Sequence, residues 1–248
     1  MDFRAALLDQ TQIFGDLIRD ADPATPVPTC PDWTLKQLFR HVGRGNRWSA
    51  QIIADQHLKP LDPRDVREGK PPDDIDGAID WLNRGVRLII DAVDHTGPQT
   101  RVWTFLGPRP AGWWIRRRLH EVVVHRADAA IATGTDFDLG AELAADAISE
   151  WIELMVNNKP PQYALERGQT MHLHATDDGL GPSGEWLVVH DEEGVTWSHD
   201  HGKGDVALRG PAKDLLLAIT RRRTVADLGL ELHGDVAVWD GWLERTGF

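Results

Sequence analysis

Apolar residues recur with helical spacing through the first 155 residues and with a period of two farther on. Over residues 2–20, Phe3, Leu7, Leu8, Phe14, Leu17 and Ile18 gather near one stripe, which predicts a first helix. Pro23, Pro26, Pro28 and Pro31 then break the chain. Thr34 is a good N-cap for a second helix over 34–55 carrying Leu35, Leu38, Val42, Trp48 and Ile52. After a loop marked by Pro60, Pro63, Pro71 and Pro72, a third helix is predicted over 75–95, with Ile75, Ile79, Leu82, Val86, Ile89 and Val93. The Gly/Pro-punctuated stretch 97–112 separates it from a fourth helix over 113–132, and a fifth follows over 139–156.

Asn157-Asn158-Lys159-Pro160-Pro161 is the best domain boundary, because the period changes beyond it. Thr170, His172, His174 and Thr176 alternate with Met171, Leu173 and Ala175, as in a strand. Residues 185–190 and 194–199 flank Asp191-Glu192-Glu193 and read as a hairpin. Residues 205–209 form another strand, Pro211 opens a helix carrying Leu215, Leu216 and Ile219, and 228–232 reads as a last strand before a terminal helix over 236–244. The expected plan is an all-α bundle over 1–156, a linker over 157–164 and a small α+β domain over 165–248.

Composition narrows the classes. The chain has 248 residues, long enough for a substantial core in one large domain or two small ones. Its 27 Lys+Arg against 39 Asp+Glu give a formal charge of −12, which argues against a basic face for nucleic acid. One cysteine, Cys30, excludes an intramolecular disulfide and any Cys-rich zinc module. The first ten residues lack a signal peptide's basic and apolar regions, and no apolar run nears the ~18 residues of a membrane span. A cytoplasmic location is expected, with no membrane or nucleic-acid partner and an oligomeric state left open.

The fourth helix carries Arg118-Leu119-His120-Glu121-Val122-Val123-Val124-His125-Arg126-Ala127-Asp128. Glu121 and His125 stand about 40° apart in azimuth and about 6 Å apart along the axis, so one face presents both. His120 lies about 140° from His125, which rules out the His-Glu-x-x-His arrangement. Glu121 and His125 alone could equally form an ion pair on the helix. His41, one step from the stripe of Leu38 and Val42, supplies a third donor if the helices face each other; otherwise it is a hydrogen-bonded histidine. Two imidazoles and a carboxylate with an open fourth position make a catalytic zinc set, and bundle cores are a usual place for one.

Thr29-Cys30-Pro31-Asp32-Trp33-Thr34, followed by His41, resembles the opening signature of the mycothiol-dependent maleylpyruvate isomerase family, one of the DinB-like metal-binding bundles. The run from Leu119 to Asp128 resembles the family's ligand helix. The tail, from Val206 to Ala212, then Leu215 with Arg221-Arg222-Arg223, and Leu230 to Asp235 with Trp239, resembles its C-terminal domain. The resemblance implies a DinB-like four-helix bundle followed by an α+β domain. It implies that His41, Glu121 and His125 hold Zn²⁺ or another divalent metal, and that mycothiol is the thiol cosubstrate. The implied chemistry is thiolate attack on a small electrophile, as isomerisation or S-transfer. Metal coordination favours that thiolate by lowering the thiol pKa. A metal-dependent hydrolase using activated water, or a non-catalytic metal- or ligand-binding protein, are the competing readings.

Asp128 either orients a ligand imidazole or pairs with an arginine such as Arg44 or Arg116. Cys30 reads as a packed structural thiol. Arg221, Arg222 and Arg223 are candidates for holding a substrate carboxylate, or else end a solvated helix. His172-Leu173-His174 and His199-Asp200-His201 have a strand-like metal spacing but lack a matching third ligand in sequence. Trp33, Trp48, Trp103, Trp113 and Trp114 are expected mostly in the core, with one or two walling a pocket.

Overall fold

A computed structural model describes residues 1–157 and 163–247. Two compact units divide between Phe137 and Asp138.

The first unit is built on four helices: α1 (Phe3–Arg19), α2 (Leu35–Ala54), α3 (Ile75–Thr96) and α4 (Trp113–Thr133). Each of α1 and α2 packs against both α3 and α4, which closes a four-helix bundle. The apolar stripes read from the sequence supply its core, with Leu7, Phe14, Leu35, Leu38, Val42, Leu82 and Ile89 almost wholly buried. Trp81 packs edge-on where α2 has only Gly43; a Cβ there would lie 2.0 Å from the indole. The helices can therefore approach closely at that level, near the turn that carries His41. Two-residue strands β1 (Arg101–Val102) and β2 (Arg109–Pro110) tie the 97–112 loop together. Around them Trp48, Trp103 and Trp114 form an aromatic cluster with centroids 5.4–6.3 Å apart.

The second unit holds α5 (Ala141–Asn157), β3 (Thr170–Ala175), β4 (Glu185–His190), β5 (Val195–Ser198), β6 (Val206–Gly210), α6 (Ala212–Ile219), α7 (Val225–Leu228), β7 (Glu231–Gly234) and α8 (Val236–Arg245). The strands make one sheet in the order β5-β4-β3-β6-β7, antiparallel except for the central parallel pair β3 and β6. Helix α5 packs on α6 and β5, and its Ser149 Oγ accepts the Trp186 indole N–H at 2.9 Å. The fifth helix thus joins the sheet unit, and the compact units part earlier than the proline-rich stretch suggested. Of the linker expected over 157–164, residues 158–162 lie outside the described residues.

The strand expected over 228–232 begins later. Thr224 caps a helical turn, its Oγ1 accepting the Asp227 N–H at 3.1 Å, and Gly229 ends it with φ 63°. Pairing with β6 then starts at Glu231. Among the described residues no helix is long and apolar enough to cross a membrane.

Candidate metal centre

The site is built from one loop and two helices of the bundle. In the loop, Val27 N–H donates to Trp33 O at 2.9 Å, Cys30 N–H to Val27 O at 3.0 Å and Trp33 N–H to Cys30 O at 3.0 Å. Asp32 takes the left-handed conformation (φ 68°), which Asp tolerates better than bulky residues. This folds Thr29-Cys30-Pro31-Asp32-Trp33 back on itself just before Thr34, whose N–H donates to Gln37 Oε1 at 2.7 Å as α2 begins. The Trp33 ring sits 4.9 Å from the His41 ring and 6.4 Å from that of His125, walling the cluster.

Facing each other across α2 and α4, His41 Nε2 lies 3.0 Å from Glu121 Oε1, and His125 Nε2 lies 3.4 Å from the same oxygen. The two imidazoles meet edge to face, with centroids 4.9 Å apart. One donor atom from each of His41, Glu121 and His125 falls within 4.8 Å of the others. The structure therefore brings together the three residues singled out from the sequence. His120 is buried on α4 and joins no such group among the described residues.

Two further layers fix these side chains. Glu121 Oε2 accepts from Arg117, one turn earlier on α4. Arg118 Nη1 approaches Glu121 Oε1 at 3.8 Å, while its Nε donates to Asn46 Oδ1 at 3.0 Å and its Nη2 to Val42 O at 3.2 Å. A Cβ at position 45 would lie 2.5 Å from Arg118 Nη2, so Gly45 makes room for this guanidinium against α2. On the other side, Asp128 Oδ2 sits 2.8 Å from His125 Nδ1. Asp128 Oδ1 accepts from Thr29 Oγ1 at 2.5 Å, and Oδ2 accepts from the Cys30 thiol at 3.5 Å. Asp128 thus bonds to the ligand-helix histidine, and Cys30 touches the cluster's rim as well as packing in its loop.

Burial pushes the His41 imidazole below the usual histidine range, despite its contact with Glu121. Burial also works against an ionised Glu121, but Arg117, with bonds from His125 and His41, outweighs it and holds that carboxyl well below the usual range. For His125, burial disfavours charge, yet Asp128, Cys30 and Glu121 together push its imidazole up to about 10.

The sequence patterns give Arg117 no role and place Thr29 only within its loop motif, without its bond to Asp128. Arg117 stands four residues before Glu121, a helical pairing distance, so the signal was present; for Thr29 no local spacing links it to residue 128. Arg221 donates to Leu243 O at 3.2 Å and Arg222 to Thr220 O at 2.7 Å, both within the second unit. Arg223 is exposed in the same unit.

The donor chemistry fits a divalent metal. With Asp128 on Nδ1, the His125 Nε2 is directed to Glu121 and His41, and Arg117 occupies the Glu121 oxygen that faces away from the imidazoles.

Comparison with known proteins agrees with this architecture. Residues 4–130 match the model of the mycothiol maleylpyruvate isomerase N-terminal domain, and residues 142–241 match the MDMPI C-terminal domain. Two uncharacterized proteins of Mycobacterium tuberculosis, from strains CDC 1551 / Oshkosh and ATCC 25618 / H37Rv, are 28% identical over 129 residues. That stretch is 50% of this chain and 62% of each relative's length. The crystal structure of a mycothiol-dependent maleylpyruvate isomerase superposes with a TM-score of 0.57 at 15% identity, and a His-to-Ala mutant of such an enzyme with 0.62 at 14%. Each comparison covers 90% of this chain and 89% of the other, and at this identity it speaks to the fold. With more than half of its length matched by the N-terminal model and most of the remainder by the C-terminal one, the chain belongs to the mycothiol maleylpyruvate isomerase family.

Proposed function

We propose that this protein is a zinc-dependent, mycothiol-dependent isomerase or S-transferase acting on a small electrophile of the maleylpyruvate kind. The observation that carries the reading is the convergence of His41, Glu121 and His125, with Asp128 behind His125. These three side chains would hold the metal. When bound, Zn²⁺ supplies a positive centre that keeps a thiol deprotonated at neutral pH.

The chain's own residues do the rest. His41, kept neutral by burial, offers a lone pair. Asp128 fixes the His125 ring, so that Nε2 and not Nδ1 faces the centre. Arg117 restrains Glu121 to one orientation and balances its charge. Trp33 lies beside the two imidazoles and walls one side of them. In an isomerisation the incoming thiolate adds to a cis double bond, the resulting single bond rotates, and expulsion of the thiolate restores the double bond as trans. Nothing is consumed, so the protein need not supply the sulfur, and Cys30 keeps its bond to Asp128.

The test is a turnover assay on metal-loaded protein with and without mycothiol, using cis α,β-unsaturated oxo acids and then haloalkyl and epoxide electrophiles. Activity requiring both zinc and the thiol supports the reading. Activity that persists without any low-molecular-weight thiol contradicts it and assigns the bundle to water activation instead.

A further inference from the structure

The second unit contains another convergence of imidazoles on a carboxylate. On β3, His172 and His174 are two residues apart and share a face. Glu185 opens the neighbouring strand β4, directly opposite His174 in the antiparallel register. His172 Nε2 lies 2.7 Å from Glu185 Oε2, and His174 Nδ1 lies 2.8 Å from Oε1. His201, from the loop after β5, brings its Nδ1 to 3.1 Å from that same oxygen. The ring centroids of His172, His174 and His201 are 5.3–6.3 Å apart.

The loop that delivers His201 is seated closely. His199 Nδ1 is 2.7 Å from Glu185 O, and Ser198 Oγ donates to Asp200 Oδ2 at 2.7 Å. A Cβ on Gly202 would meet Leu187 at 2.9 Å, and one on Gly204 would meet the His172 backbone N at 2.8 Å. The loop therefore runs against β3 and β4 with no space for side chains at those glycines. Beside it, a cavity of about 420 Å³ is lined by His201, Lys203, Ala207 and His233 among others.

An ordinary ion pair needs one cation for one carboxylate. Three imidazoles around a single carboxylate would repel one another if all were charged, whereas as neutral rings they present lone pairs beside an anionic oxygen. That is a nitrogen-rich N/O donor set of the kind zinc and its neighbours in the first transition row prefer. We infer that His172, His201 and Glu185, whose donor atoms lie within 4.8 Å of one another with His174 alongside, form a second divalent transition-metal site on the sheet of the C-terminal unit. Binding there clamps the 199–204 loop onto β3 and β4.

The test is zinc titration of the full chain, with a chelating dye as competitor, in a Glu121→Ala background that removes a bundle ligand. One equivalent of zinc should bind, with a rise in Tm. Glu185→Gln added to that background should abolish it. His201→Ala should lower the affinity at least tenfold; this side chain is 74% exposed, so the variant separates ligand loss from misfolding. Cobalt(II) in the same background should give visible d–d bands that disappear with Glu185→Gln. The inference is overturned if the Glu121→Ala protein folds but takes up no zinc, or if Glu185→Gln and His201→Ala leave uptake and affinity unchanged. It does not depend on the bundle site's chemistry: loss of thiol-dependent turnover speaks only to the first site, and loss of zinc on Glu185→Gln only to the second.

Discussion

The bundle and the sheet each gather histidines around one glutamate, but they hold that glutamate differently. In the bundle, Glu121 is gripped from behind by Arg117, and His125 is gripped from behind by Asp128. In the sheet, the ion-pair partners of Glu185 among the described residues are the histidines themselves, one of them on an exposed loop. The first cluster has a supporting shell that fixes ring orientation before any ligand arrives, as a catalytic centre needs. The second has an exposed loop donor, His201, at its edge, which suits a clamp. Position in the fold explains the contrast: an α-helix, at 3.6 residues per turn, can place Arg117, Glu121 and His125 along one face, whereas strands place donors only at alternate and opposite positions.

Substitutions should separate the two. Glu121→Ala leaves His41 and His125 without their shared carboxylate, and thiol-dependent turnover should fall by about 100-fold or more while a far-ultraviolet spectrum stays helical. Turnover within tenfold of the parent protein would break the comparison by making the bundle cluster dispensable. Asp128→Asn keeps the shape but removes the charge behind His125. Zinc affinity at the bundle should fall by about 10–100-fold, measured by chelator competition in a Glu185→Gln background. An unchanged affinity would leave Asp128 as a partner of Thr29 and Cys30 alone.

Proton competition gives a third handle. In the ion-free protein His125 titrates at about 10, so zinc must displace its proton. Bundle affinity should rise about tenfold per pH unit between the ordinary histidine range and about 10. The same shift sets the direction of stability. Because the folded pKa lies above the unfolded value, the contribution of this proton is fully present below about 6.5 and lost as pH rises through about 10. Metal-free Tm should therefore decline over that window, and Asp128→Asn should flatten the decline. A smaller effect tests the scaffold: Gly43→Ala forces a methyl into the Trp81 ring and should cost about 1–3 kcal/mol in denaturant unfolding, whatever metal the sheet holds. In the metal-free protein His201→Ala should change stability by no more than about 0.5 kcal/mol, as expected of an exposed loop residue.

Much of this organisation was readable along the chain. Helices α1 to α3 follow from their apolar stripes, α4 from the Gly/Pro-punctuated stretch that ends just before it, and the spacing of Glu121 and His125 puts both on one face. What escaped was whatever depends on partners distant in sequence. The helix α5 is legible in the sequence, but its packing against Trp186 and α6 is not. His172-Leu173-His174 and His201 lacked a visible third ligand because Glu185 reaches them through strand register and loop placement. β7 starts later than expected because a capping turn at Thr224 wins over the alternating Leu228, Leu230 and Leu232. Arg117 is the exception, because its i,i+4 spacing from Glu121 is local and legible in the sequence.

The central claim is that His41, Glu121 and His125 together hold the metal. Elemental analysis of purified, folded Glu121→Ala beside the parent protein tests it most directly. The account predicts one zinc equivalent fewer per chain in the variant. Identical zinc content in the two proteins would contradict it.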